Sequence, residues 1–246
     1  MVGQEVDFGL KVKKVYQNNL EDWLIIKGKA HIYLDGKNNK LNKKFIYYKS
    51  GYNQFYGKSM ETLSGFNFEK LFFDEVFLIK NQKFHDNRGL FFESFRKVIL
   101  YKKVNFEVVQ ENISISKKNV IRGMHFQKFT YAQSKLIKVL KGQILDIFID
   151  LRKNSKTYKK WFKYKLDSDK YEQIFIPKGF AHGFLALTND VLVSYKVDHY
   201  YDPDSERSIA WNDPIIGIDW KITKPKLSYK DANAKSFLEM EKEFEF

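Results

Sequence analysis

Two histidines in glycine-flanked, strand-like segments are the residues of this chain best suited to move a proton. His125 lies in Val-Ile-Arg-Gly-Met-His-Phe-Gln at 120–127, and His182 lies in Gly-Phe-Ala-His-Gly-Phe at 179–184. Imidazole changes its charge near neutral pH, so it is the commonest general acid or base. Lys135 follows the first segment on the next predicted strand. The alternative interpretation of either histidine is a core residue with its hydrogen bonds satisfied.

Strand alternation predicts that the first histidine segment is irregular if Arg122 and His125 contact the same ligand. In a regular strand, Arg122 and His125 would point to opposite faces of the sheet. If both contact one ligand, an irregularity must lie between them, and Gly123 is the residue that would mark a bulge or twist. The sequence therefore predicts a local break in the pleat at Gly123.

A metal site is not expected around these histidines. A metal-binding β-barrel of this kind would need a His-x-His pair with a carboxylate and a distant histidine, and the second position of the pair is Gln127. The absence of cysteine excludes disulfides, thiolate catalysis, and cysteine-ligated zinc or iron–sulfur sites. We therefore expect no metal and no cofactor.

The elements that must position these residues are strands. Apolar and aromatic runs divided by turn residues predict a sandwich or barrel, and hence an all-β fold. In the run 143–151, alternation places Asp146, Phe148 and Asp150 on one face and Leu145, Ile147 and Ile149 on the other. The predicted strands are 106–116, 120–127, 134–140, 143–151, 161–166, 173–176, 184–187 and 191–200. The segment 233–246 has a helix-forming composition and predicts a terminal helix.

The preceding residues predict a second, smaller β-rich element. Strand-like runs occupy 10–16, 23–34 and 41–48, with Asp35-Gly36 as a turn. Small and polar residues at 59–65 interrupt the pattern, so we place a boundary there, with an extension at 1–65 and the main domain at 66–246. The extension faintly resembles the strand pair of cupins fused to sugar-phosphate enzymes, but it has too few strands for a complete barrel. We expect a partial cupin or an added sheet layer that assists dimerisation or stability.

Composition limits the partners of the protein. The 246 residues carry a formal net charge of +13, yet only five of the basic residues are arginines, so the excess is almost all lysine. Scattered lysines are typical of a solvated surface, so we expect no nucleic-acid partner. Positive potential would still attract a small anionic substrate. No secretory leader or membrane span is recognisable, so we expect no membrane association and a cytoplasmic location.

A distributed set of motifs connects the chain from about residue 68 to 237 with a known family. The chain resembles the dTDP-4-dehydrorhamnose 3,5-epimerases, cupin-like jelly rolls that act on nucleotide-linked 4-keto-6-deoxy sugars without a metal. Each motif is weak alone, but their order along the chain is specific. The motifs are 86–93, 110–112, 122–127, 133–136, Asp146, 150–152, 179–184, 195–196, Tyr201, 211–214, 218–220, 227–228 and Asp231.

The resemblance implies a cofactor-independent proton transfer through an enolate. The C4 ketone acidifies the hydrogens at C3 and C5, so epimerisation requires a base on one face of the sugar and a proton donor on the other. In this family the base matches His125, and Asp231 matches the carboxylate that orients its ring. Lys135 matches a lysine near the developing enolate oxygen. Tyr195 matches the tyrosine that returns the proton from the opposite face.

The resemblance also implies a binding set for a nucleotide-diphosphate sugar. Arg88 and Arg122 match residues that hold the pyrophosphate. The family is a homodimer in which one subunit's N-terminal strand reaches the partner's site, so Arg88 and Glu93 are expected to act in trans. The other expected ligand contacts are Gln110, Asn112, Gln127, His182 and Tyr201. Asp146 is expected to be a buried structural carboxylate beside His182, and Arg152 to hold a structural ion pair.

The sequence leaves several functions open. A nucleotide-sugar 3,4-ketoisomerase uses related folds and similar enolate chemistry, and a catalytically silent binding module would keep the fold without the proton relay. The joint presence of His125, Lys135, Tyr195 and Asp231 argues against a silent module. Two loops depart from the family pattern, at 128–131 and 155–161. Because these loops line or neighbour the ligand cleft of the family, we expect the nucleotide or sugar preference of this protein to differ from that of the family. The leading hypothesis is a C3 or C3/C5 epimerase for surface-polysaccharide synthesis.

Overall fold

A computed structural model describes residues 65–246 and, of the residues before them, the backbone of two short strands. The chain divides into two compact units, Met1–Ser64 and Gly65–Phe246. In the first unit, β1 (Lys29–His31) pairs antiparallel with β2 (Tyr47–Lys49). β1 falls within the predicted run 23–34, and β2 overlaps the end of the predicted run 41–48. The predicted strand at 10–16 and the Asp35-Gly36 turn lie outside the described residues.

The second unit is built on two antiparallel sheets that share a core, and it confirms the predicted all-β, cupin-like jelly-roll class. Its six-stranded sheet has the order β3-β4-β12-β9-β14-β7, and its five-stranded sheet the order β11-β10-β13-β8-β15. Strands β5 and β6 form a separate hairpin. The strands are β3 Phe66–Lys70, β4 Phe77–Asn81, β5 Lys83–Asp86, β6 Gly89–Phe92, β7 Gln110–Ser116, β8 Ile121–Gln127, β9 Lys135–Lys141, β10 Gln143–Asp150, β11 Trp161–Asp167, β12 Gln173–Ile176, β13 Phe180–Ala186, β14 Val191–Val197 and β15 Glu206–Ser208.

Alternation along the strands sorts side chains between this shared core and an outer layer. In β10, Ile144 and Phe148 join the core between the sheets, whereas Ile147 and Ile149 face outward. The predicted division of this strand into two faces is therefore confirmed. Val193 of β14 joins the same inner core from the opposite sheet. These residues identify the inner face of each sheet. A functional side chain that alternates with them in the same phase points to the space between the sheets.

Each sheet is covered on its outer face. The C-terminal residues cover the five-stranded sheet with Trp220, Phe237 and Phe244 among the buried side chains. This segment contains α2 (Tyr229–Ala232) and α3 (Phe237–Met240), so the predicted terminal helix at 233–246 is wrong in extent: one short α-helix and a 3-10 turn replace it. An unpredicted helix, α1 (Lys97–Val104), packs over the six-stranded sheet through Leu100. None of the helices among the described residues is long and apolar enough to cross a membrane.

The predicted break in the pleat at Gly123 is present. In the β8–β13 ladder, His125 opposes His182 while Arg122 opposes Phe184, so β8 has one more residue than β13 in this interval. Gly123 has a φ of +127°, and a Cβ atom there would lie 2.5 Å from the Cα of Gly183. The extra residue returns Arg122 and His125 to one face of the sheet. Glycine is required here because the two strands approach too closely for a side chain.

Candidate active site

His125 is oriented by a carboxylate from the far end of the chain. Its Nε2 lies 2.6 Å from Oδ1 of Asp231, which belongs to α2. Burial alone would raise the pKa of the Asp231 carboxyl, but the hydrogen bond and the charge of His125 outweigh it and lower that pKa. The ionised carboxylate accepts the Nε2 proton and leaves a basic lone pair on Nδ1. Ser228 fixes the backbone of Asp231 in turn, since its Oγ accepts the backbone N–H of Asp231 at 3.0 Å and caps α2.

His182 forms a second histidine–carboxylate pair beside the first. It stands directly opposite His125 in the β8–β13 ladder, and its Nε2 lies 2.7 Å from Oδ1 of Asp146 on β10. Asp146 is completely buried, and its Oδ2 has no hydrogen-bond partner among the described residues. The expectation of a buried carboxylate beside His182 is confirmed. Both histidines therefore face the space between the sheets.

Lys135 brings a cation into this space from the opposite sheet. Its Nζ donates to the backbone carbonyl of His125 at 3.2 Å. Burial lowers the pKa of the Lys135 amine to about 8, although the negative charges of Glu206 and Asp146 work to raise it. The ammonium therefore sits close to the base and loses its proton far more readily than a surface lysine.

Tyr195 lies on β14 of the six-stranded sheet, across the interior from His125. It follows Val191 and Val193 on the inward face, and its ring packs against the inner core. Burial raises the pKa of the Tyr195 hydroxyl, with Glu206 adding to the effect and Arg122 opposing it. The phenol consequently stays protonated at neutral pH and has a proton to give.

Three predicted binding residues make hydrogen bonds along β7. Arg122 donates through Nε to Oγ of Ser116 at 3.0 Å, and through Nη2 to the carbonyl of Ile115, so it bridges β8 to β7. On β7, Gln110 Nε2 donates to Oδ1 of Asn112 at 2.9 Å. Asn112 stands opposite Tyr195 in the β7–β14 ladder. The structure thus places polar groups and a guanidinium next to the proposed proton donor.

Gln127 binds two loops through both ends of its side chain, and its contact with substrate stays a prediction. Its Nε2 donates to the carbonyls of Tyr131 and Tyr200, and its Oε1 accepts the backbone N–H of Asp202. These bonds occupy both ends of a side chain that is buried. Its physical role is to hold together the two loops at the mouth of the barrel. One of those loops carries Tyr201, whose backbone N–H donates to Oε1 of Gln110 at 2.9 Å.

Arg88 and Glu93 stand apart from this cluster within the described residues. Arg88 belongs to the turn of the β5–β6 hairpin, is exposed, and pairs with Asp86 at 2.5 Å. Glu93 forms a two-bond ion pair with Arg96. The backbone carbonyl of Glu93 accepts Nδ2 of the buried Asn81 at 2.6 Å, but the side chains of Arg88 and Glu93 are paired with Asp86 and Arg96. Arg152 binds Asp150 and Glu75, which confirms its structural ion pair.

Glu206 is a member of the site that the sequence did not suggest. It lies on β15 and stands opposite Gln127, so its side chain shares the inward face with that of His125. Its carboxylate accepts the hydroxyl of Tyr201 at 2.6 Å and an ion pair from Lys230. An acidic residue in a short, polar segment gives no pattern that distinguishes it from surface carboxylates. Only the ladder register reveals it.

The cluster contains what an enolate reaction requires. A base whose Nδ1 has no hydrogen-bond partner among residues 65–246 stands on one sheet, a protonated phenol stands on the other, and a half-buried cation lies close to the base. Such a set can remove a proton next to a carbonyl, stabilise the resulting oxyanion and return a proton from the opposite side.

Comparison with known proteins identifies relatives across most of the second unit. The family model described as dTDP-4-dehydrorhamnose 3,5-epimerase matches residues 70–239. The enzyme of that name from Salmonella typhimurium is 44% identical over 165 residues, which are 65% of this chain and 89% of that protein.

Solved structures show the same similarity in three dimensions. A dTDP-4-dehydrorhamnose 3,5-epimerase from Bacillus anthracis, with TDP and PPi bound, is 42% identical with a TM-score of 0.68, covering 70% of this chain and 99% of that one. A dTDP-6-deoxy-D-glucose-3,5-epimerase from Legionella pneumophila, in complex with dTDP-4-keto-L-rhamnose, is 38% identical with a TM-score of 0.66, covering 70% and 92%.

Proposed function

The chain belongs to the dTDP-4-dehydrorhamnose 3,5-epimerase family and is an isomerase of nucleotide-linked 4-keto-6-deoxy sugars; we propose that His125, Lys135 and Tyr195 carry out its proton transfers. Asp231 acts through His125. The facing sheets carry this proposal: the base stands on β8 and the acid on β14, so a sugar ring between them presents one face to each. The cofactor-independent mechanism expected from the sequence needs only these side chains.

The first step is removal of a proton next to the ketone. Nδ1 of His125 takes the hydrogen from C3 or C5, and the electron pair of the C–H bond moves to the C4 oxygen. The imidazolium that forms is stabilised by the ionised carboxylate 2.6 Å from Nε2. Asp231 thus fixes the tautomer before the step and offsets the charge after it.

The enolate oxygen requires a positive charge in its vicinity. Lys135 supplies that charge from a half-buried position, where an ion pair is stronger than in water. The transition state gains more from this contact than the neutral ketone does, so the lysine lowers the barrier rather than merely binding the substrate.

The second step inverts the carbon. Tyr195 donates its hydroxyl proton to the enolate carbon from the opposite face, and the raised pKa of its phenol ensures that the proton is present. The electron pair of the enolate forms the new C–H bond, and the ketone is restored. A second round at the other carbon next to the ketone would give a double epimerisation.

The substrate is proposed to be a dTDP-linked sugar, on the basis of the relatives' names and of the ligands in their structures. The guanidinium of Arg122 is suited to the diphosphate end. Gln110 and Asn112 are proposed to help place the nucleoside or sugar. His182 and Tyr201 are proposed sugar contacts. A homodimer is also proposed, with Arg88 and Glu93 completing the partner's site, since their side chains pair with Asp86 and Arg96 and not with the residues around His125 in the described part of the chain.

We propose that residues 66–246 form the catalytic domain and that residues 1–65 are an accessory extension. The proposed proton-transfer residues all lie in the former range. A cytoplasmic location is proposed because the substrate is a nucleotide-activated sugar.

Proton NMR in deuterium oxide with dTDP-4-keto-6-deoxyglucose tests the proposed function. Loss of both the H3 and H5 signals is expected for a double epimerase, and loss of H3 alone for a 3-epimerase. Binding of the nucleotide sugar without any exchange would contradict the mechanism and favour a silent binding module. Appearance of a 3-keto product would instead indicate a ketoisomerase.

A further inference from the structure

Glu206 connects two parts of the site that are distant in sequence. Its carboxylate accepts the hydroxyl of Tyr201, on the loop after β14, at 2.6 Å. The same carboxylate pairs with Lys230, which immediately precedes Asp231 on α2. One side chain therefore joins the loop after β14 to the helix that orients the base.

The charge state of Glu206 determines the direction of the bond to Tyr201. Burial would raise the pKa of Glu206, but hydrogen bonds from Lys230 and Tyr201, together with nearby positive charge, lower it. An ionised carboxylate only accepts, so the phenol of Tyr201 must donate to it. The hydroxyl is thereby held in one orientation, and its oxygen lone pairs remain available on the other side.

We propose that Glu206 is a positioning residue of the epimerisation, which holds the phenol of Tyr201 in the orientation that contacts the sugar. This inference rests on the proposed function, in which Tyr201 is a sugar contact. Glu206 itself need not touch the substrate. Glu206 affects the rate by way of Tyr201. Because the Tyr201 hydroxyl is already oriented, the reaction does not lose the entropy of ordering it.

Glu206→Gln is the informative variant, and Glu243→Gln is its matched control. Oε2 of Glu206 accepts the Tyr201 hydroxyl and also pairs with Lys230. A glutamine oxygen carries no charge and is a weaker acceptor for both, so the orientation of the phenol is lost for part of the time. Glu243 also accepts two cations, Arg207 and Lys128. Arg207 alternates with Glu206 along β15 and points to the outer face of the sheet. Removing the Glu243 charge therefore leaves the cleft unchanged.

A double-mutant cycle with Tyr201→Phe provides the decisive readout. Glu206→Gln is expected to lower the kcat for H3 exchange about 10-fold in the parent protein but less than about 2-fold in the Tyr201→Phe background. Glu243→Gln should change either rate less than about 2-fold. An equal loss in both backgrounds would overturn the proposal, because a general loss of structure or charge does not depend on the phenol. An unchanged rate in Glu206→Gln would overturn it as well.

A substrate-free measurement separates this inference from the proposed function. With [13Cζ]tyrosine incorporated, the Tyr201 signal, assigned by its loss in Tyr201→Phe, should shift in Glu206→Gln and stay in place in Glu243→Gln. A shift in a protein that exchanges no substrate proton would overturn the function while leaving the contact established. An unmoved signal would overturn the contact itself.

Discussion

The two histidine–carboxylate pairs of the interior have the same geometry but different surroundings. Nε2 lies 2.6 Å from Oδ1 in His125–Asp231 and 2.7 Å in His182–Asp146. The His125 side chain, however, is 29% exposed, against 10% for His182. His182 and Asp146 belong to adjacent strands of one sheet, whereas Asp231 reaches His125 from a separate helix.

This difference indicates that a hydrogen bond to a carboxylate is not sufficient for a histidine to act as the catalytic base. A histidine must also present its second nitrogen to a substrate, and the more exposed member of the two is better placed to do so. The buried pair is held by the sheet itself, so its carboxylate contributes to the interior field and to the fold. The five variants below test this division, from the largest expected effect to the smallest.

Replacing the two histidines separately should produce unequal losses. His125→Ala is expected to lower H3 and H5 exchange by roughly 10³-fold or more, because it removes the base. His182→Ala should lower the exchange rate on the order of 10-fold, since it removes a proposed sugar contact. NMR exchange rates, with dTDP affinity by calorimetry as the control for folding, distinguish the two. Equal losses of exchange in the two variants would contradict the assignment of the base to His125 alone.

Replacing Asp231, the carboxylate of the more exposed pair, should cause a smaller loss of exchange than replacing His125. Asp231→Asn is expected to reduce exchange on the order of 10²-fold, because a neutral amide neither fixes the tautomer of His125 nor stabilises the imidazolium. Most of the loss should appear in kcat rather than in KM. A change confined to KM would show that Asp231 binds the substrate instead.

Lys135 lies between the two pairs and should set the alkaline limit of activity. Its amine has a pKa of about 8 and is charged only below that pH, so the rate should fall as pH rises through this range. Lys135→Arg should retain roughly a tenth of the activity and move the limit to higher pH, because guanidinium stays charged. A pH–rate profile of both proteins measures this. An unchanged alkaline limb would contradict the role of Lys135.

The carboxylate of the buried pair should affect stability more than rate. Asp146→Asn is expected to lower the free energy of unfolding by about 1–3 kcal/mol, because the His182 hydrogen bond is weakened in a fully buried position. Exchange at neutral pH should fall less than about 5-fold. Since the negative charge of Asp146 raises the pKa of Lys135, its loss should move the alkaline limb to lower pH. Urea unfolding and the pH profile test both effects.

Strand alternation explains how much of the fold the sequence could predict. The faces of β10 follow directly from its apolar periodicity, and the bulge at Gly123 follows from the demand that Arg122 and His125 share a ligand. Strand β13 begins four residues before its predicted start, because Gly183 looks like an interruption. A Cβ at that position would lie 2.8 Å from the carbonyl of Arg122, so the glycine belongs inside the strand.

Other features required long-range information that no local pattern carries. Helix α1 has no side-chain cap at Arg96, and its β-branched Val98 does not favour a helix, so nothing marks its start. The contact between His125 and Asp231 spans 106 residues, and only the family resemblance predicted it. Glu206 and the loop bonds of Gln127 depend on strand register and loop packing, which emerge only when the sheets assemble.

The most direct test of the opposed base and acid is Tyr195→Phe in deuterium oxide. His125 should still remove the proton and return deuterium to the same face, so H3 exchanges while the configuration is retained. Parent protein should exchange and invert together. Inversion at the parental rate in Tyr195→Phe would contradict the assignment of the proton donor to the six-stranded sheet.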